Sequence, residues 1–202
     1  MCGITAFFSF NNINNDIIDK LSSCNNDMSY RGPNDKDIWN DKKVALAHVR
    51  LSIIGLNNGH QPIFNEDRSL VLICNGEIYN YKSLKRELEN KNHTFSTLSD
   101  SEVIIHLYEE YGENLNSKLD GMFAYCLYDI KNQTFFAGRD KAGMKPLYYS
   151  VLPEGIVFSS ELKVIKSYFS KENTLNFENL RQVQKYTYSI SERDTYVESI
   201  SK

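Results

Sequence analysis

The sequence predicts an α+β fold built from antiparallel strands and a small number of helices. From residue 121 onward, strand-like runs follow one another at residues 122–129, 133–139, 146–151 and 155–158, with short turns between them. Strands spaced so closely usually pair as antiparallel hairpins. Apolar residues at helical spacing occur in other stretches, of which residues 81–91 are the clearest.

The first quarter of the chain alternates strand and helix signals. Residues 3–10 are apolar, β-branched and aromatic, which predicts a buried strand. Residues 16–24 place Ile17, Ile18 and Leu21 at helical spacing and predict a short helix. Residues 30–35 form a cluster of structure-breaking residues and predict a loop. A long strand-like run then covers residues 44–54 and ends at Gly55.

The middle of the chain adds a core strand and two helices. Residues 69–74 predict a buried strand, and residues 81–91 carry Leu84 and Leu88 with charges between them, as in an amphipathic helix. Ser99 and Glu102 have the spacing of a capping box before the apolar run at residues 103–108.

The last part of the chain has a weaker pattern. Residues 160–167 predict a short helix, and residues 177–186 predict another. The final residues are polar, so we expect them to be loosely held.

Composition narrows the class of protein. The chain has 202 residues, a net charge of -3 and 41% hydrophobic residues, as expected for a globular domain without a nucleic-acid-binding basic patch. No membrane span or secretory signal is evident, so we expect a cytoplasmic protein with free thiols. The four histidines show no ligand-spaced pair, and the sequence therefore predicts no metal site.

Cys2 is the strongest candidate for a catalytic nucleophile. If Met1 is removed, Cys2 carries both a thiol and a free α-amino group, and the amine can take the proton of the thiol. This is a nucleophile and its base within one residue. Alternatively, Cys2 is a small apolar residue at the start of a strand.

Three further features have both a structural and a functional interpretation. Arg50 lies within a sequence run predicted to be a core strand. It is either at an exposed edge or placed to bind a carboxylate through its planar guanidinium group. Asn75-Gly76 follows a core strand. The pair either forms an ordinary turn or supplies two hydrogen-bond donors to an oxyanion. Asp100 either stabilises a helix by lying at its positively charged N-terminal end or binds the ammonium group of a substrate. His48 is interpreted as structural, since nothing beside it forms a catalytic triad.

Nine short stretches, in order along about four fifths of the chain, resemble one known family. They are MCGI at 1–4, YRGPN at 30–34, HVRLSI at 48–53, GHQPI at 59–63, CNGEIYN at 74–80, LSDSEVI at 98–104, LDGMFAY at 119–125, GRDKAGMKPLYY at 138–149 and FSSELKVI at 158–165. The family is the class II glutamine amidotransferases, a branch of the N-terminal nucleophile hydrolases. Within it, the chain resembles the glutaminase domain of asparagine synthetase.

This resemblance implies a four-layer αββα sandwich and a set of site residues. Cys2 is the nucleophile, and Asn75 and Gly76 hold the oxyanion. Arg50 binds the α-carboxylate of glutamine, and Asp100 binds its α-ammonium. Glu77 and the backbone of Ile53 complete the pocket. The resemblance implies no cofactor in this chain; ATP and magnesium are expected only in a separate synthetase domain.

The resemblance also sets expectations for domain organisation and partners. Residues 2–168 form the amidotransferase domain, and residues 169–202 form a linker or tail toward a synthetase domain, present in cis or in trans. The ten glycines include no adjacent pair, so we expect no phosphate loop and no asparagine formation by these residues alone. Such a chain is a fragment, a truncated product or half of a split enzyme. Two alternatives stay open: another ammonia acceptor, or a non-catalytic glutamine-binding module.

Overall fold

The structure, a computed structural model, describes residues 1–52, 58–170, 174–188 and 190–202. The strands in these ranges are β1 (Gly3–Ser9), β2 (Asp35–Asn40), β3 (Val44–Arg50), β4 (Ile63–Phe64), β5 (Leu70–Ile78), β6 (Gly121–Asp129), β7 (Thr134–Arg139), β8 (Tyr148–Leu152) and β9 (Gly155–Ser159). The helices are α1 (Asn15–Asp27), α2 (Tyr81–Glu89), α3 (Val103–Tyr111), α4 (Leu162–Tyr168) and α5 (Phe177–Tyr186). Among these helices, none has the length and apolar character needed to cross a membrane.

The strands form two antiparallel sheets. The first sheet has the order β2-β3-β1-β9-β8, and the second has the order β4-β5-β6-β7. In the first sheet, β1 is central and pairs with β3 on one side and β9 on the other. In the second sheet, β5 pairs with β6 from Leu70 to Ile78, which is its entire length. The hairpins predicted after residue 121 are therefore confirmed.

The described sheets and helices form four layers, which are held together by three apolar cores. One core joins α1 and α4 to the first sheet, through residues such as Leu21, Phe7 and Val164. Another joins α2 and α3 to the second sheet, through residues such as Leu88 and Leu72. The third lies between the two sheets. The predicted α+β fold with αββα layers is confirmed.

Alternation along the strands decides which side chains enter the space between the sheets. Ile4 of β1, Leu46 of β3 and Ile73 of β5 belong to the core between the sheets. Phe7 of β1 and Leu72 of β5 belong to the two cores under the helices. Because side chains alternate between the two faces of a strand, every second residue along these strands faces the intersheet space.

Two of the described strands, β2 and the two-residue β4, were not predicted from the sequence. β2 has the sequence DKDIWN, most of whose side chains are exposed or half-buried. β2 lies at the edge of the first sheet, and β3 is its only partner among the described strands. An edge strand with a solvated face needs little apolar sequence, so its pattern resembles a loop.

The predicted capping box does not form as expected. The Ser99 hydroxyl accepts a hydrogen bond from Ser101 N, and the N–H of Ser99 is taken by the Thr97 hydroxyl at 3.0 Å. Glu102, left without that partner, accepts hydrogen bonds of 2.6–2.8 Å from the backbone and hydroxyl groups of Ser96 and Thr97. Burial raises the pKa of Glu102, but its interaction with His106 and these hydrogen bonds outweigh burial and lower the pKa to about 2.

The C-terminal residues differ from the loosely held tail that we expected. Val197 and Ile200 are buried in the core beneath α1 and α4. Ser201 exchanges two backbone hydrogen bonds with Tyr149 of β8, at 2.8 and 2.9 Å. These apolar and backbone contacts attach the tail to the first sheet.

Candidate active site

Cys2 lies at the amino end of the central strand of the first sheet, immediately before β1. Its side chain follows the alternation of Ile4 and therefore faces the space between the sheets. The residue is half-buried, and its Sγ accepts a hydrogen bond from Leu51 N at 3.4 Å. The thiol is thus held by the backbone just beyond β3 and remains reachable from solvent.

Arg31 fixes the backbone of Cys2, a role that sequence reasoning missed. Arg31 Nε donates to the Cys2 carbonyl at 3.0 Å, and its Nη1 forms an ion pair with Glu161. The neighbouring Gly32 passes so close to β3 that an added Cβ would lie 2.4 Å from Val49 C. The available signal was that Arg31 and Glu161 both belong to stretches shared with the resembled family.

Asn75 and Gly76 lie inside β5, so the prediction that the strand ends at Cys74 is wrong. The strand continues to Ile78, and Asn75 and Gly76 are paired with Ala124 and Phe123 of β6. A Cβ on Gly76 would come within 2.4 Å of Met122 O. Glycine therefore permits close contact between β5 and β6 here, and no turn is involved.

The hydrogen-bonding edge of β5 that faces away from β6 borders the candidate pocket. On this edge, Cys74 N donates to Gln61 Oε1 at 2.6 Å, and Gln61 Nε2 donates to Cys74 O at 3.0 Å. Ile78 N donates to Asp100 Oδ2 at 2.6 Å on the same edge. Because backbone groups alternate between the two edges of a strand, the N–H of Gly76 faces this edge, between Gln61 and Asp100.

The Asn75 side chain supplies a second donor at the same place. Asn75 alternates with Ile73 and so faces the intersheet space, as Cys2 does. It is 1% exposed, and its Nδ2 has no hydrogen-bond partner among the residues that the structure describes. A buried amide donor without a partner is costly in a folded protein unless it serves a ligand or transition state.

Arg50 and Asp100 lie near the thiol with opposite charges. Arg50 is the last residue of β3 and is 4% exposed, so the edge or surface alternatives do not apply. Asp100 begins a short 3-10 helix, Asp100–Glu102, and is also buried. Burial raises the pKa of Asp100, while the hydrogen bond from Ile78 N opposes the rise.

These side chains converge on one cavity of about 60 Å³. The site residues inferred from the sequence that line it are Cys2, Arg50, Asn75, Gly76, Glu77 and Asp100. The remaining one, Ile53, lies outside the described residues. Met1 also lines the cavity, so its removal would enlarge the space beside Cys2.

Lys145 is a further cavity residue that sequence reasoning did not single out. It is 6% exposed, and within the described ranges no carboxylate lies at ion-pair distance from it. Asp140 fixes the preceding turn by accepting hydrogen bonds from Met144 N and Lys145 N, at 2.9 and 3.1 Å. A cation buried beside the thiol makes the cavity favourable for an anionic group.

His48 lies on β3, two residues before Arg50, and is 1% exposed. Burial is the main cause that lowers the pKa of His48, to about 3, so the imidazole is neutral at physiological pH. A neutral, enclosed ring fits the structural role inferred from the sequence.

Comparisons with known proteins show which family the chain resembles as a whole. The family model described as "Glutamine amidotransferase domain" matches residues 1–202. "Asparagine synthetase [glutamine-hydrolyzing] 2" of Bacillus subtilis is 48% identical over 141 residues, which cover 70% of this chain and 19% of that protein. The rice protein of the same name, from Oryza sativa subsp. japonica, is 43% identical over 82% of this chain and 28% of its own length.

The chain thus spans between a fifth and a third of the length of these relatives. Among solved structures, glutamine phosphoribosylpyrophosphate amidotransferase from Bacillus subtilis, complexed with ADP and GMP, superposes with a TM-score of 0.63. The match covers 82% of this chain and 43% of that one, at 23% identity. A structure described as the allosteric regulatory enzyme of purine biosynthesis gives 0.64 at 22% identity. At these identities the likeness shows the fold alone.

Proposed function

Because this chain belongs to the glutamine amidotransferase domain family, we propose that it releases ammonia from the side-chain amide of glutamine, with Cys2 as the nucleophile. One observation carries the proposal: a thiol, an arginine, a buried carboxylate and a buried amide donor that lacks a partner among the described residues converge on one cavity. Each group matches one part of glutamine or of the transition state for its hydrolysis.

The reaction proceeds through a thioester. The Cys2 thiolate attacks the amide carbon of glutamine, and the α-amine of Cys2 takes the thiol proton. Asn75 Nδ2 and Gly76 N–H stabilise the resulting oxyanion. The C–N bond then breaks, and the nitrogen leaves with that proton as ammonia. Water hydrolyses the thioester through a second oxyanion, which yields glutamate and restores the thiol.

The charged side chains orient the substrate. Arg50 binds the α-carboxylate of glutamine with its planar fork of donors. Asp100, already fixed by Ile78 N at 2.6 Å, binds the α-ammonium. Glu77 lines the same cavity. Bound in this way, glutamine would present its side-chain amide to Cys2.

Met1 should be absent from the active protein, because the proposed base is the α-amine of Cys2. Its removal would also free space in the cavity that Met1 lines. Intact mass measurement and N-terminal sequencing check this expectation. A fully active preparation that retains Met1 would contradict the assignment of the base.

Arg50→Lys should weaken glutamine binding, even though the positive charge is kept. Lysine offers a point charge in place of the fork that fits a carboxylate. The expected loss is about 1.5–3 kcal/mol, the usual contribution of a charged hydrogen bond. Calorimetric titration of glutamine into the Cys2→Ala background measures the loss without turnover.

The matched control for this substitution is Arg181→Lys. Arg181 lies on α5, and its side chain is 79% exposed. The control should bind glutamine with unchanged affinity. Equal affinities for Arg50→Lys and the parent would remove Arg50 from the binding site.

The proposed activity is tested by incubating the chain with glutamine in the absence of ATP. Glutamate and ammonia should appear in equal amounts, because amide hydrolysis needs only the groups around this cavity. Coupled ammonia detection and amino-acid analysis measure the two products. A well-folded sample with a free Cys2 that binds glutamine without releasing ammonia would favour the non-catalytic alternative.

We further propose that, in the whole protein, the ammonia converts aspartate to asparagine. The support is the identity of 43–48% to two glutamine-hydrolysing asparagine synthetases. ATP and magnesium would then act in the synthetase part, with the reaction taking place in the cytoplasm. Glutamine labelled with ¹⁵N at its amide should transfer label to asparagine when that part, aspartate, ATP and Mg²⁺ are present. Label found only in free ammonia, or in another acceptor, would contradict this assignment.

A further inference from the structure

Four side chains of metal-ligating types meet in the helical layer on the second sheet, far from the intersheet space. They are Glu66, His93, His106 and Glu109, and we call them the two-histidine cluster. Their potential ligand atoms all lie within 4.8 Å of one another. We propose that the two-histidine cluster binds one divalent transition-metal ion, with Zn²⁺ as the best match.

The cluster is assembled from three separate segments. Glu66 follows β4, His93 follows α2, and His106 and Glu109 lie one turn apart on α3. The sequence predicted no metal site because the histidines lack ligand spacing. Tertiary packing brings the two imidazole rings to a centroid distance of 4.9 Å, although thirteen positions separate them in the chain.

The spacing of the ligand atoms fits a tetrahedral ion. His106 Nδ1 lies 2.8 Å from Glu109 Oε2, and His93 Nδ1 lies 3.3 Å from the same oxygen. Glu66 Oε2 lies 3.9 Å from His106 Nδ1. A tetrahedral zinc with bonds of ~2.0–2.1 Å separates its ligand atoms by about 3.3 Å. The observed distances lie on both sides of this value, so small side-chain movements would suffice.

Each histidine has a carboxylate on the side away from the cluster centre. His93 Nε2 lies 3.1 Å from Glu110 Oε1. His106 Nε2 lies 3.9 Å from the buried Glu102 Oε1 and has no hydrogen-bond partner among the described residues. Histidines that bind metals commonly direct their other ring nitrogen at a carboxylate, which fixes the ring and its tautomer. Both rings therefore present Nδ1 to the centre.

The two carboxylates are oriented in the same manner. Glu109 Oε1 accepts a hydrogen bond from Asn65 Nδ2 at 2.9 Å. Glu66 Oε1 accepts one from Thr94 N at 2.7 Å. In each case the other oxygen, Oε2, is the one that faces a histidine of the cluster. Glu66, His93 and Glu109 thus each have one polar atom held by the surrounding protein and one directed inward.

The donor set favours a transition metal. Imidazole nitrogen suits Zn²⁺ and its neighbours, whereas Ca²⁺ and Mg²⁺ prefer oxygen ligands alone. Two carboxylates and two neutral imidazoles also balance the charge of a divalent ion. Four protein ligands would leave no open position, as in a structural zinc site. The ion would then link α3 to the segments that follow β4 and α2. The 3-10 helix that begins at Asp100 directly precedes α3.

A proton is the competing occupant. Burial lowers the pKa of His106, but the nearby carboxylates of Glu102 and Glu109 outweigh burial and raise the pKa to about 9. A protonated His106 would hold the carboxylates together by ion pairing alone. Direct measurement of metal binding distinguishes the two occupants.

The experiment titrates Co²⁺ into the full chain, because tetrahedral Co²⁺ absorbs visible light, and then displaces it with Zn²⁺. All proteins carry Cys2→Ala, which removes the half-buried thiol as a competing ligand. His93→Gln and Glu66→Gln each remove one ligand at partly exposed positions. His60→Gln is the matched control, because His60 is an exposed histidine beside Asp35. Near-ultraviolet circular dichroism checks the fold of each variant.

We expect one equivalent of Co²⁺ with tetrahedral absorption, replaced by one equivalent of Zn²⁺. His93→Gln and Glu66→Gln should weaken binding by at least tenfold, and His60→Gln should leave it unchanged. Glu110→Gln, behind His93, should weaken it by roughly 10–100-fold. The proposal is overturned if the folded parent binds no Zn²⁺, or if the folded His93→Gln and Glu66→Gln proteins bind it as tightly as the parent.

Discussion

Cys2→Ala is expected to abolish ammonia release and to leave glutamine binding within a few-fold of the parent. Among the described residues, Cys2 carries the only thiol that both lines the cavity and is partly open to solvent, and the substitution removes it. Without a nucleophile the thioester cannot form, and loss of a covalent nucleophile typically lowers turnover by at least ~10³-fold. The proposed clamp, Arg50 and Asp100, is untouched. Ammonia release and calorimetric titration measure the two effects separately.

The controls for Cys2→Ala are Cys24→Ala and Cys126→Ala. Both thiols are fully buried, and burial raises the pKa of Cys24 to about 12, so it is inert at neutral pH. These variants should lose stability because of the small cavity created, while keeping their turnover. Persistence of glutaminase activity in Cys2→Ala would show that the nucleophile is another group.

Asn75→Ala is expected to lower kcat by about 10²–10³-fold, with a much smaller change in KM. Asn75 Nδ2 is buried and has no hydrogen-bond partner among the described residues. In the proposed mechanism it donates its hydrogen bond to the oxyanion. Removal of one oxyanion donor typically costs about 2.7–4 kcal/mol of transition-state stabilisation. Steady-state kinetics of glutamate formation provide both parameters.

Asn25→Ala is the matched control for this substitution. Asn25 is also a buried asparagine, but it lies on α1 and donates to Asp37 O at 3.0 Å. Its replacement should lower the thermal midpoint and leave kcat unchanged. A similar kcat for Asn75→Ala and the parent would exclude the side chain from the oxyanion site, whatever the effect on stability.

Much of the fold could be predicted from local pattern. α5 was predicted with the same ends as observed, and β1 to within one residue. The apolar run of β1 reflects its nearly complete burial, whereas α5 follows from helical spacing alone, since Asn179 is its one fully buried residue among those described. β2 was missed because it lies at a sheet edge, where solvation removes the apolar pattern that marks a buried strand.

The candidate site shows a similar division. The sequence placed Cys2 before a core strand and identified Arg50, Asn75, Gly76, Glu77 and Asp100 as its companions. It could not show that Asn75 and Gly76 continue β5, because Asn-Gly usually marks a turn. Pairing with β6 holds them in the strand, and the direction of the Asn75 donor follows from that pairing.

The amino-acid sequence by itself determined most of the helices and strands, the candidate nucleophile and the family. Tertiary structure decided which side chains share a cavity and which cations and anions are buried together. It also brought His93 beside His106 and placed Arg31 and Lys145 around Cys2. The physical reason is that local periodicity records which face of an element is buried. Contacts between segments depend instead on how the two sheets and their helices pack, and no short stretch of sequence contains that information.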